Sequence, residues 1–228
     1  MIEQAEKSHP GHTFKSEADW LRCVKDDFPK FIPFLTKHCG LDLRGRVLEI
    51  GAGCGWFSAE LSKLPLVVEI VTTDVSARLL KAECPKIFKL LRANESKITR
   101  IPADFGDLDF PANHFHAVVC SDALHLSPNL PRVLREVKRV LKPGGTFIAI
   151  REPVRPLVKM NPRKMEAAGI TPLPGYALSE YRDHFDSSGL KLTVKRVVLS
   201  RGFKYYFDKV VNGFTHARYA FAATKSAR

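Results

Sequence analysis

The chain has 228 residues, with 36 lysines and arginines against 24 acids, a formal net charge of +12 and 45% hydrophobic side chains. That length buries a core without staples, the composition excludes wholesale disorder, and no apolar run approaches the roughly eighteen residues of a membrane span. Five cysteines, at 23, 39, 54, 84 and 120, share no Cys-x-x-Cys spacing, and the N-terminus has no apolar signal core. These features argue against a disulfide framework, a metal cluster or secretion, and point to a cytoplasmic protein.

The first 45 residues predict an N-terminal helical cap. Ser16-Glu17-Ala18-Asp19 is a near capping box, and Trp20, Leu21, Val24 and Phe28 share one helical face. Pro29 and Pro33 interrupt it, leaving a second short helix near Phe34–His38 that ends at Gly40. The preceding stretch His9–Phe14 reads as a flap or a loose end.

From residue 46 to 228 the pattern predicts a single domain of alternating strands and helices. Val47–Ile50 is a strand, Trp56–Leu64 a helix and Val67–Thr73 a strand. Ser76–Asn94 is a helix with a break at Pro85, and Ile98–Pro102 and Phe115–Cys120 are strands. Leu130, Val133, Leu134, Val137, Val140 and Leu141 mark an amphipathic helix over Pro131–Lys142, stopped by Pro143-Gly144-Gly145. Thr146–Ile150 is the next strand. Such units demand a parallel sheet covered by helices on both faces.

Residues 151–178 break this rhythm and read as a lid or substrate-binding insertion, with a short helix near Arg163–Ala168. A helix at Ser179–Ser188, closed by Gly189, then precedes strands at Lys191–Leu199 and Arg218–Thr224. Two strands in direct succession suggest an antiparallel addition at the sheet edge. The charge is uneven: residues 151–228 hold 15 lysines and arginines against 6 acids, a surplus of nine, while residues 1–150 hold 21 against 18.

The chemistry concentrates in Glu49-Ile50-Gly51-Ala52-Gly53-Cys54-Gly55-Trp56, between a strand and a helix. Glycines there allow a sharp turn and close approach of a ligand to the backbone. A dinucleotide fingerprint would need a small residue where Trp56 stands, and no phosphate-loop lysine motif occurs. Asp74 ends the second strand nineteen residues after Gly55, placed to bind both hydroxyls of a ribose. Asp104-Phe105 follows the third strand, offering an acceptor for an exocyclic amine and a ring to pack on a base.

With Cys120-Ser121-Asp122 and Arg139-Val-Leu-Lys-Pro-Gly-Gly145, these motifs resemble the class I S-adenosylmethionine-dependent methyltransferases, nearest their small-molecule branch. The resemblance covers residues 46–154 well and 179–224 loosely. It implies an α/β, Rossmann-like, doubly wound seven-stranded sheet, mostly parallel with an antiparallel edge strand, and S-adenosyl-L-methionine as cofactor. By resemblance, Gly51, Gly53 and Gly55, with Ala52 among them, face the methionine part, and Glu49 orients its amino group. Asp74 holds the ribose, Val75 packs beside the adenine, Asp104 accepts from its amine, Phe105 donates its backbone amide or lies against the ring, and Ser121 presents a carbonyl to the methionine amine.

Methyl transfer from a sulfonium needs alignment and dryness more than acid–base help. The candidate bases are His125 and Asp122, with His12, Tyr176, Tyr181 and His184 as weaker ones; Tyr205, Tyr206 and Phe207 read as packing. Lid residues Arg151, Arg155, Lys159, Arg163 and Lys164, against Glu152 and Glu166, favour a small acceptor bearing carboxylate or phosphate. The alternatives are a nucleic-acid methyltransferase and a non-catalytic S-adenosylmethionine-binding module. The first lacks an Asn-Pro-Pro-Tyr motif, a Pro-Cys pair and room for a target-reading domain. Either a monomer or a homodimer is compatible with the sequence.

Overall fold

A computed structural model describes residues 16–39, 43–155, 175–197 and 218–227. His9–Phe14, the expected helix at 163–168, and Tyr205, Tyr206 and Phe207 lie outside the described residues.

Seven strands form one sheet: β1 (Gly45–Glu49), β2 (Val67–Asp74), β3 (Ile98–Pro102), β4 (Phe115–Ser121), β5 (Leu141–Pro153), β6 (Leu190–Arg196) and β7 (Arg218–Lys225). Their spatial order is β3-β2-β1-β4-β5-β7-β6. The first five pair in parallel, and β7 runs antiparallel between β5 and the outermost strand β6. The order reverses between β1 and β4, so their carboxyl ends open the crevice where such sheets bind ligands.

Helices cover both faces. Along β1, β4 and β5 alternate residues point oppositely: Val47, Ala117, Val119, Ile148 and Ile150 join one core, whereas Leu48, Val118, Cys120, Phe147 and Ala149 join the other. The first core takes α1 (Glu17–Asp26), α2 (Phe31–Cys39), α3 (Trp56–Leu61) and α4 (Cys84–Leu91). The second takes α5 (Leu130–Val140) and α6 (Leu178–Ser188). Among the described residues no helix is long and apolar enough to cross a membrane.

Local chemistry sets the boundaries. Ser16 caps α1 by accepting from the Asp19 amide at 3.2 Å, and Trp20 and Val24 bury its inner face. Helix α2 begins at Phe31, earlier than expected, because Pro33 falls in the first turn, where a missing amide hydrogen leaves nothing unbonded. Pro29 is taken up by a 3-10 turn over Phe28–Lys30. The long helix expected over 76–94 is a wide π turn (Leu79–Glu83) running into α4. Pro85 sits in the first turn of α4, and Arg92 ends that helix in a left-handed conformation.

Helix α5 stops at Val140, two residues short of expectation. Lys142 precedes a proline, which disfavours helix there, and Leu141 pairs instead with Phe115. The stretch Lys142–Gly145 then bulges before the register resumes at Ala117 and Thr146. The expected lid starts too early: Arg151, Glu152 and Pro153 belong to β5, where Glu152 and Pro153 pair with β7, and Leu178 already opens α6. Residues 156–174 of that insertion are outside the described residues. Strand β6 ends at Arg196, short of the expected Leu199.

Candidate active site

The glycine loop joins β1 to α3 at the carboxyl end of the sheet. Gly51 has φ +60°, and a Cβ there would lie 2.8 Å from the Ala123 methyl, so the loop can meet the end of β4 only as glycine. Gly53 has φ +55° with nothing within 4 Å of an added Cβ, which makes it the open face of the loop. Gly55 packs against Phe88 and Cys84.

Two carboxylates anchor this loop. Asp74 accepts from the Gly53 amide at 2.8 Å through Oδ2 and from the Ser76 amide at 2.8 Å through Oδ1. Each oxygen keeps a lone pair for a further donor. Val75, immediately after it, is 71% exposed. Glu49 is fully buried; its Oε2 accepts from the Ser58 amide at 2.9 Å and from the Ser58 hydroxyl, which also contacts Thr72 at 2.6 Å. Its Oε1 is buried without a hydrogen-bond partner. Burial pushes Glu49 up to about 8, against the two Ser58 bonds.

Asp104 and Phe105 follow β3. The Asp104 carboxylate accepts from the Gly106 amide at 2.8 Å, and Arg132 of α5 straps the same turn by donating to the Gly106 carbonyl at 2.6 Å. The Phe105 ring leans toward Gly51. Ala52 is buried and donates to the Thr73 carbonyl at 2.9 Å. Ser121 ends β4 beside Ile150, with its hydroxyl buried and unpartnered. The cofactor candidates thus converge on the carboxyl ends of β1 to β4.

Beyond β4 the chain turns through Asp122, whose φ is +57°, into a 3-10 turn over Leu124–Leu126. Glu152, buried at the end of β5, accepts from the amides of Ala123 (2.9 Å), Leu124 (3.1 Å) and His125 (3.3 Å). Its Oε2 also meets His125 Nδ1 at 3.2 Å. Burial alone would raise the Glu152 carboxyl, but the His125 contact and the amides outweigh it and hold the group below its ordinary value. An ionised Glu152 requires the proton on Nδ1, which leaves the Nε2 lone pair of a neutral ring free. That Nε2 is buried and has no hydrogen-bond partner.

Asp122 has a different position. Its Oδ1 takes a 2.6 Å ion pair from Arg218, and Arg151 stands 3.8 Å from Oδ2. Burial raises its pKa, and the two arginines pull the other way. This carboxylate is an anchor joining the ends of β4, β5 and β7, a poor disposition for a base. Tyr176 donates to the Ser127 carbonyl at 2.8 Å and stacks edge-on with Tyr181 and His184. Tyr181 is wholly buried among core side chains, with burial pushing its phenol up. His12 lies outside the described residues.

Residues 48–149 match the family of methyltransferase domains. The matched segment carries the glycine loop, Asp74, Asp104 and Ser121, and its likeness is to methyltransferases. The ubiquinone/menaquinone biosynthesis C-methyltransferase of Pseudomonas aeruginosa is 30% identical over 118 residues, 51% of this chain and 45% of that protein. The chain therefore spans about half the length of the curated relatives it matches. Phosphoethanolamine N-methyltransferase 2 of Haemonchus contortus, solved with S-adenosyl-L-methionine, superposes with a TM-score of 0.69 at 16% identity, over 91% of this chain and 56% of that one. The [4+2]-cyclase SpnF superposes with a TM-score of 0.65 at 18% identity, over 88% and 81%. These structural likenesses establish the fold.

Three features of the site escape a reading of the sequence. The sequence pattern puts Glu152 with the lid, although it lies two residues beyond the expected strand Thr146–Ile150, a spacing like that of Asp104 beyond Pro102. Arg218 reaches Asp122 across 96 residues of sequence, and Arg151 stacks on Phe28 of the N-terminal cap. No local pattern announces either contact.

Proposed function

We propose that the chain transfers a methyl group from S-adenosylmethionine to a small organic acceptor bearing an anionic group. The observation that carries this reading is the convergence of the open Gly53 face, the Asp74 carboxylate and the unpartnered Glu49 Oε1 on one crevice, with the His125–Glu152 pair on the adjoining strand ends. A buried acceptor oxygen without a donor and a glycine turn with empty space beside it fit an amino-acid moiety carrying an ammonium group.

In this reading Glu49 and the Ser121 carbonyl hold the ammonium end, Gly51, Ala52, Gly53 and Gly55 the backbone cradle, and Asp74 the ribose. Val75 and Phe105 flank the base, and Asp104 accepts from its amine. When bound, the cofactor supplies a methyl group on a positively charged sulfur that is already a good leaving group. The chain's own contribution is alignment and exclusion of water. His125, its Nδ1 hydrogen held by Glu152, presents Nε2 to take a proton from an acceptor that must lose one. Asp122 acts through Arg218 and Arg151 as a positioning residue.

Calorimetry with S-adenosylmethionine and S-adenosylhomocysteine, beside NAD, tests the reading. Binding of the first two, its loss in Asp74→Ala and no binding of NAD are expected; an Asp74→Ala variant that folds and binds unchanged would overturn the assignment. Turnover is then sought on carboxylate, phenol, amine and RNA acceptors. The likeness to a cyclase makes turnover the deciding measurement, since this fold also carries other chemistry.

A further inference from the structure

Near the end of β5 the pairing with β7 slips by one residue between Ala149 and Glu152. Within that bulge Arg151 takes φ +66°, a conformation unfavourable for any residue with a Cβ. Bulges of this kind re-aim a side chain, and they recur beside active sites. Here the guanidinium carbon lies 3.9 Å from the centre of the Phe28 ring and 5.5 Å from that of Phe31, both on the N-terminal cap.

Arg151 is only 7% exposed, yet its nearest carboxylate oxygen is Asp122 Oδ2 at 3.8 Å, beyond hydrogen-bond range. Among the described residues no acceptor lies at hydrogen-bond distance from its guanidinium nitrogens. Asp122 is already paired with Arg218 at 2.6 Å, and Glu152 faces His125 and three amides. Arg151 is therefore a buried cation with no carboxylate at hydrogen-bond distance, within electrostatic range of Cys54 in the glycine loop. A buried guanidinium that keeps its charge but lacks acceptors is a costly arrangement unless a ligand completes it.

We propose that Arg151 is the anion-receiving residue of this site, taking a carboxylate or phosphate of a bound ligand on its planar fork of N–H donors. The Phe28 ring holds the guanidinium flat, so little freedom is lost when the anion arrives. Two ligands could bring that group: the amino-acid end of the cofactor, or the methyl acceptor. The second source rests on the methyl-transfer reading given above, and the first requires only cofactor binding.

The test is calorimetry on the full chain as wild type, Arg151→Met and Arg151→Lys. One arm compares S-adenosylhomocysteine with its decarboxylated analogue. The other titrates inorganic phosphate and benzoate into protein with and without S-adenosylhomocysteine. The wild type is expected to prefer the carboxylate-bearing compound at least about tenfold, or to bind the free anions measurably; Arg151→Met abolishes that preference, and Arg151→Lys loses most of it. Discrimination in the first arm assigns the cofactor as the source, and in the second the acceptor. A wild type that discriminates in neither arm overturns the proposal even if Arg151→Met fails to fold. So does discrimination unchanged in Arg151→Lys. If S-adenosylhomocysteine does not bind at all, the methyl-transfer reading fails, and the anion titration of the unloaded protein still decides the role of Arg151.

Discussion

Glu49 occupies a fully buried position, and burial pushes its carboxyl from 4.5 to about 8 despite two bonds from Ser58. An acid raised in this way holds its proton more tightly folded than unfolded. Its contribution to stability is complete below pH 4.5 and is lost as pH rises through 8. Replacing it by glutamine removes the titration while keeping an acceptor for Ser58. Urea unfolding at pH 5, 6.5 and 8 should show the wild type losing up to about 1.4 kcal/mol per pH unit from this group, and Glu49→Gln losing less. Parallel curves would remove Glu49 as the cause. The neighbouring pair has its own signature. Glu152→Gln leaves an amide facing His125 Nδ1, so nitrogen chemical shifts of His125 should move from the Nδ1–H tautomer toward a mixture. On any acceptor found to need a base, kcat should fall about 100-fold with S-adenosylhomocysteine affinity nearly unchanged.

Trp56 links the sequence reading to the packing of whole elements. Its size excluded a dinucleotide fingerprint, and the fold gives that size a purpose. The indole stacks on Phe57 at 5.0 Å and meets Phe28 edge-on at 5.0 Å, fastening α1 and α2 to the sheet above the glycine loop. Trp56→Ala should cost about 3–5 kcal/mol. Hydrogen exchange over residues 17–39 should accelerate before the rest of the domain opens. Uniform acceleration would mean the cap has no separate attachment through this ring. The alternation of strands and helices was legible because Val47, Leu48, Val118 and Val119 are apolar whichever face they meet, and because Asp74 and Asp104 sit where strands end. The start of α2, the π turn before Pro85 and the bulge at Arg151 were not. Each depends on where a proline falls within a turn or on pairing with a distant strand. The site was legible in the same proportion: the acids and glycines of the cradle lie within one stretch of chain, whereas Arg218 comes to Asp122 only through the insertion of β7.

Across the whole molecule the surplus of positive charge bears on acid stability at the sheet end opposite the crevice. There Gly45, at the start of β1, packs on the His116 ring, and His116 Nδ1 accepts from the Arg46 amide at 3.0 Å. Lys142 Nζ lies 3.0 Å from His116 Nε2, and Arg46 Nη1 lies 3.0 Å from His114 Nε2. Burial lowers the pKa of both histidines, and the nearby cations Arg46 and Lys142 lower them further. Protonation would cost His116 its bond to Arg46 and add charge beside two cations, in a chain already at +12. The sign follows: both rings are neutral in the fold, so their contribution is present above the unfolded pKa of 6.5 and lost as pH falls through their lowered folded values. This slope opposes that of Glu49, and the two together place maximal stability between acid and alkaline limits. His116→Asn offers an oxygen near the position of Nδ1 and cannot titrate. It should leave Tm at pH 7.5 little changed and flatten the fall in Tm between pH 6.5 and 5, while Glu49→Gln flattens the opposite limb. An acid limb as steep in His116→Asn as in the wild type would assign the loss to the general charge surplus instead, and that limb would then shrink with added salt.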